Sequence, residues 1–226
     1  MLTIFIESVK KPLKYFKQFI DLIVIQPCYF APISQFAVIA KQKKICLEIC
    51  DNYQKQTYRN RCYIYGANGK LMLNIPIVHN KSKGRQLTRE VKVEPYFDWQ
   101  KQHLKSIKTA YQTSPYFEFY EDEFTAFFNC RYNNLLALNT ASLYMFLDLL
   151  ELDVNITKTK EYHITYKQDY RHLANAKVTH PFAFDSYTQM FDNKYGFIPN
   201  LSILDLLFME GPNALNYLEN CVQELS

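Results

Sequence analysis

The spacing of apolar and polar positions divides this chain into a strand-rich first part and a helical second part. Leu22-Ile23-Val24-Ile25 is a continuous apolar run and reads as a buried strand. Gln26-Pro27-Cys28-Tyr29-Phe30-Ala31-Pro32 then turns the chain, and residues 33–40 read as a helix. Ile45-Cys46-Leu47-Glu48-Ile49 gives a second strand. Strand, turn, helix and strand within roughly thirty residues predict a βαβ unit with parallel pairing. A strand at 63–65, the turn Ala67-Asn68-Gly69-Lys70 and the run 71–77 predict a hairpin, because Asn-Gly between two such runs is a strong turn signal. Residues 79–86 form a basic polar loop, and residues 87–93 suggest one more short strand.

At Trp99 the period becomes helical. Trp99, His103 and Ile107 lie four apart, while Lys101, Lys105 and Lys108 occupy another face. Ser114-Pro115 closes that helix, an acidic segment with Glu118, Glu121, Asp122 and Glu123 follows, and residues 135–152 read as a long apolar helix. Residues 155–200 look loop-rich, and the apolar run 201–208 ends at a Gly211-Pro212 helix stop. The fold class expected is α/β: a mixed sheet opened by a βαβ unit, with a helix-rich C-terminal half. Residues 22–220 form the domain, helical from about residue 99, and residues 1–21 form an N-terminal appendage.

Composition narrows the function classes. The chain holds 226 residues with 48% hydrophobic and 16% aromatic positions, ample for a core. With only 5 glycines and no phosphate-cradling loop motif, the Gly-rich routes to nucleotide binding are unsupported. Net charge is +4, yet residues 53–108 are rich in Lys and Arg while residues 109–155 are acidic with only Arg131 opposing. That asymmetry favours an anionic ligand, such as a sugar phosphate. No nucleic-acid-binding signature accompanies it, so nucleic acid is not expected. None of the six cysteines forms a CxxC pair, and the gaps separating His163, His172 and His180 fit no metal motif. Reduced thiols, no visible signal peptide and no span-length apolar run point to a cytoplasmic protein. The basic amphipathic stretch at 1–20 would either lie on an anionic membrane or dock on its own domain.

Candidate chemistry centres on Tyr58-Arg59-Asn60-Arg61. In an extended strand, Arg59 and Arg61 would share one face and Asn60 the other. Two guanidinium groups would clamp a carboxylate or phosphate, and a solvated ion-pairing edge is the alternative. Asp205 lies in an apolar helix three residues after Ser202, which suggests a capping box or an ion pair with an incoming Arg or Lys. His103 sits among lysines, Lys101 included, that would keep its imidazole neutral as a general base requires, or it is a core histidine beside Trp99. Gln26 and Tyr29 follow the end of the first strand, where open α/β sheets bind ligands. Cys28 is a possible nucleophile without a local histidine partner.

Several fragments occur in a telling order. They are Gln26-Pro27-Cys28-Tyr29-Phe30, Thr57-Tyr58-Arg59-Asn60-Arg61, Gly66-Ala67-Asn68-Gly69, Ile75-Pro76-Ile77, Trp99-Gln100-Lys101-Gln102-His103-Leu104, Ser114-Pro115-Tyr116-Phe117 and the run 201–208. From about residue 22 to residue 218 the chain resembles the WbqC-like protein family. The resemblance implies a bacterial protein of surface polysaccharide, lipopolysaccharide or O-antigen biosynthesis, with acyl or aminoacyl transfer to a sugar as the reaction. On that reading His103 and Asp205 serve catalysis, while Gln26, Tyr29, Asn60, Arg59, Arg61, Lys101 and Ser202 bind substrate. The other class of function is a non-catalytic binding or scaffolding protein of the same pathway. Nothing in the sequence names a cofactor or an oligomeric state.

Overall fold

The computed structural model describes residues 22–78, 84–178 and 182–223. The amphipathic stretch at 1–20 and most of the basic loop at 79–86 therefore lie outside the described residues. Strand β1 (Ile23–Ile25), helix α1 (Ile33–Ile39) and strand β2 (Lys44–Leu47) form the βαβ unit, with Ile23 opposite Ile45 and Ile25 opposite Leu47 in parallel register. Both strands are buried almost throughout, as a parallel sheet covered on its faces requires. Strand β3 (Arg61–Gly66) and strand β4 (Gly69–Asn74) make the hairpin, and Gly69 supplies its positive φ of 90°.

Helices α2 (Trp99–Tyr111), α3 (Phe117–Asn129) and α4 (Leu135–Leu149) follow. Strand β5 (Asn155–Lys158) then returns to the first sheet and pairs parallel with β2, giving the order β1-β2-β5. The remaining elements are β6 (Phe182–Ala183), α5 (Asp192–Tyr195), α6 (Ile203–Glu210), α7 (Ala214–Asn220) and β7 (Val222–Gln223). The α/β class and helix-rich C-terminal half are those expected, with parallel and antiparallel pairing divided between separate sheets.

Two segments differ from the sequence reading. Residues 87–93 are not a strand: they hold a 3-10 turn, Thr88–Glu90, with isolated bridges at Leu87 and Val93. The backbone N–H of Thr88 bonds the Asp51 carbonyl and its hydroxyl bonds the Asp51 carboxylate, which turns the chain away from a ladder. Residues 155–158, read as loop, form β5, because an edge strand with one apolar residue in four carries little periodic signal. The far side of β1 is covered by residues 168–170, whose backbone bonds Val24 on both its polar groups.

The turn after β1 is seated in an aromatic core. Phe30, with φ of 38°, contacts the rings of Phe124, Phe127, Phe128 and Phe146 at 5.2–5.7 Å between centroids. Its N–H bonds Ser142 of α4, and its carbonyl accepts from Ser202 at the start of α6. Helices from two parts of the chain thus fix the backbone that carries Gln26. Phe124, fully buried against Phe30, Phe146 and Phe208, should be costly to truncate. Urea denaturation of Phe124→Ala is expected to show a loss of about 3–5 kcal/mol; a loss under about 1 kcal/mol would mean that the cluster collapses around the vacancy.

Candidate functional site

The three parallel strands end together, and the residues that follow them are polar. Glu48 follows β2 and is fully buried, yet its oxygens accept from the Cys50 N–H, the Thr159 hydroxyl, the Tyr166 hydroxyl and Arg171. Four acceptor positions meet four donors, which is what a buried carboxylate needs. Arg171 also donates to both Asp169 oxygens and to the carbonyls of His163 and Ile164, while its guanidinium lies over the rings of Tyr162 and Tyr166. All of its N–H donors are thereby spent. Arg171 ties the loop at 161–166 to the end of the sheet. Burial alone would raise the Asp169 carboxyl, but the hydrogen bonds and charge of Arg171 hold it below the usual range.

Asp51, four residues beyond β2, is the second buried carboxylate. Its Oδ2 accepts from Gln26 Nε2 at 2.8 Å and from Arg59 at 2.5 Å, and its Oδ1 accepts from the Thr88 hydroxyl at 2.8 Å. Burial raises its carboxyl above the usual value in spite of the opposing pull of Arg59 and Thr88. Beside Asp51 opens a cavity of about 580 Å³, lined by Gln26, Asp51, Asn52, Gln54, Thr57, Arg85, Tyr162, Asp169, Arg171, His172 and Asn175. It lies where ligands of parallel α/β sheets bind, beyond the carboxyl ends of the strands. Its groups are amides, a hydroxyl, a phenol, an imidazole and arginines, with both acids already paired to guanidinium groups. Among the described residues Arg85 forms no ion pair. Among them, too, no set of His, Cys, Asp and Glu side chains is placed to hold a metal ion, and no helix is long and apolar enough to cross a membrane.

Of the catalytic and substrate-binding candidates read from the sequence, Gln26 alone lines this cavity; His172, weighed there only for metal binding, lines it too. Arg59 and Arg61 are not a pair on one strand face: β3 begins only at Arg61, and Arg59 sits in the preceding turn, buried against Asp51. Asn60 is buried at the base of the hairpin and donates to Asn74 and to the Ile75 carbonyl. Tyr29 has no exposed surface, and its hydroxyl is 2.8 Å from His103 Nδ1. His103 packs edge-on to Trp99 and is buried; burial, rather than the neighbouring lysines, lowers its pKa to about 4. Lys101 is exposed beside Asp98.

Ser202 is the N-cap of α6, accepting from the Leu204 N–H, but no capping box forms, because the Ser202 N–H bonds the Tyr63 carbonyl. Asp205 has no cationic partner either. It accepts from Tyr111, Tyr187 and Gln189, neutral donors that satisfy it inside the core, and burial raises its carboxyl. Cys28 is buried with its thiol donating to the Gln26 carbonyl, and burial pushes it up to about 12, which leaves it inert as a nucleophile.

Asp51, Arg85, Asp169 and Arg171 were not singled out in the sequence. A usable signal existed at Glu48, an acid inside the run Ile45-Cys46-Leu47-Glu48-Ile49, since an acid amid apolar neighbours needs a partner. The partner, Arg171, is remote in sequence and could not be named from it.

The buried histidine sets a pH dependence. The folded chain keeps His103 neutral down to about pH 4, whereas an unfolded histidine takes its proton near 6.5. The unfolded state therefore binds the extra proton between those values, and stability is complete above 6.5 and falls as pH drops toward 4. Relative to His103→Gln, the wild type should lose stability on the order of 3 kcal/mol across that window. Parallel pH profiles for the two proteins would refute the assignment.

The profile of the WbqC-like protein family matches residues 26–181. The chain is 25% identical over 229 residues to an uncharacterised protein of Mycobacterium tuberculosis, Rv1507c, an alignment that covers 88% of this chain and 98% of the relative. No solved structure matches it. The matched region contains β1's polar end, both buried carboxylates and the loop that Arg171 anchors, and the chain belongs to the WbqC-like protein family.

Proposed function

We propose that the protein is a cytoplasmic group-transfer enzyme, of the acyl or aminoacyl type, in the assembly of bacterial surface polysaccharide such as O-antigen. The observation that carries this reading is the cavity beyond β1, β2 and β5: a floor of Gln26 and Asp51, amides on its walls and Arg85 without an ion pair. A sugar phosphate suits such a lining, with hydroxyl or amino groups bonding the amides and the phosphate meeting Arg85. Tyr162, half exposed, offers a ring face to a sugar. Asp51 is the candidate base. Its Oδ1 retains an acceptor position beyond Thr88 and takes the proton released as the acceptor atom bonds the acyl carbon of an activated ester or thioester. The donor's leaving group departs with the electron pair of the bond that breaks.

A second reading, binding without chemistry, draws support from the same carboxylate. Three protein donors already hold Asp51 in a structural role, which leaves one acceptor position on Oδ1 for a ligand. Turnover separates the two readings.

A panel of sugar phosphates and nucleotide sugars, read by thermal shift on the full chain, tests both, since a ligand of the folded state raises its melting temperature. At least one panel member should stabilise the protein, and Arg85→Ala should weaken that ligand by about 1.5–3 kcal/mol while leaving the unliganded melting temperature unchanged. Stabilisation that persists unaltered in Arg85→Ala would remove the anion site from this cavity. With an activated acyl donor added, Asp51→Asn should lower turnover by about 10²-fold or more; binding with no turnover in the wild type would favour the non-catalytic reading.

A further inference from the structure

The cavity floor presents several hydrogen-bond acceptors with open positions. Gln26 is 7% exposed, and its Nε2 donates to Asp51 Oδ2. A carboxylate only accepts, so the amide nitrogen has to face Asp51 and the amide oxygen has to face away from it. No described group donates to Gln26 Oε1, and that oxygen is not among the sealed, unpartnered atoms of the interior; it opens toward the cavity that Gln26 lines. Thr57, 4% exposed, spends its hydroxyl hydrogen on the Gln54 carbonyl and keeps its oxygen as an acceptor on the same cavity. Asp51 Oδ2 is filled by Gln26 and Arg59, while Oδ1 takes only Thr88. Gln26 Oε1, Thr57 Oγ1 and Asp51 Oδ1 make this floor rich in acceptors, against one remaining donor, the second N–H of Gln26 Nε2.

We propose that this floor selects a primary amine on the acceptor substrate, an amino sugar phosphate in preference to its hydroxyl counterpart. The inference rests on the sugar-phosphate reading of the cavity and deepens it. An amine brings two hydrogens to the floor, or three when protonated, whereas a hydroxyl brings one. With a hydroxyl bound, one or more of the buried oxygens stays without a donor, and an unmet buried acceptor costs more than an average hydrogen bond returns. Gln26 is the specificity-determining residue because Asp51 fixes which end of its amide faces the ligand. The amine nitrogen held on two acceptors keeps its lone pair directed away from the floor, toward the space where an activated acyl group enters.

Calorimetric titration of the full chain with matched probes tests this. Glucosamine 6-phosphate is compared with glucose 6-phosphate, and glucosamine 1-phosphate with glucose 1-phosphate. The amino member of at least one pair should bind about tenfold more tightly, the size of one added hydrogen bond to a partly charged floor. Gln26→Met, which keeps the side chain's length and removes the acceptor, should bring that ratio toward one. Thr57→Val should lower it in the same direction and stands as the second variant, with melting temperature confirming that each is folded. Equal affinity within both pairs, or a ratio unchanged in Gln26→Met and Thr57→Val, overturns the amine floor and leaves the anion-binding cavity intact. Failure of all four probes to bind overturns the sugar-phosphate reading and this inference with it.

Discussion

The carboxylate of Asp51 holds together chain segments that are far apart in sequence. Gln26 comes from the end of β1, Arg59 from the turn before β3, Thr88 from the 3-10 turn, and all three converge on its two oxygens. Asn139 of α4 reinforces the junction by donating to the carbonyls of both Pro27 and Arg59. Removing this carboxylate would leave Arg59, 1% exposed, as an uncompensated buried cation. Without those contacts the turn after β1 and the hairpin would lose their common anchor. The Phe30 cluster then seats the same turn from the other side, so apolar packing and one buried ion pair fix a single backbone path.

Burial also sorts the charged residues by task. Glu48, Arg171, Arg59 and Asp205 look like catalytic material by residue type, yet the bonds of the carboxylates and of Arg171 are taken by the protein itself. They build walls, and a small set of groups around the cavity keeps hydrogen-bonding capacity open. A larger hollow of about 660 Å³ near Tyr187 and Tyr217 illustrates the contrast: Asp185, Asp192 and Glu210 line it with no cation, a poor match for an anionic ligand. The cavity beyond the parallel strands combines acceptors on its floor with an arginine, the pairing on which the proposed sugar-phosphate ligand rests.

Local order was legible where periodicity and turn chemistry agreed. The βαβ opening, the hairpin at Gly69, the helix from Trp99 and the stop at Gly211 all follow from apolar spacing and glycine placement. What stayed illegible is what depends on partners distant in sequence. The strand β5 is specified by β2, more than a hundred residues earlier, rather than by its own residues. Arg59 reads as surface charge until Asp51 is set beside it, and Asp205 reads as a cap or an ion pair until Tyr111 and Tyr187 are found around it. The place of Gln26 beside the cavity follows from a single local cue, its position after a buried strand.

A double-mutant cycle on Asp51→Leu and Arg59→Met, followed by chemical denaturation, measures the central interaction directly. Each single replacement should cost about 3–5 kcal/mol, because it leaves the other charge buried and unpaired. The double replacement should cost well below the sum of the two, since an apolar pair leaves no orphaned charge. Additive losses would contradict the account, showing that Asp51 and Arg59 stabilise the fold through separate contacts and not through each other.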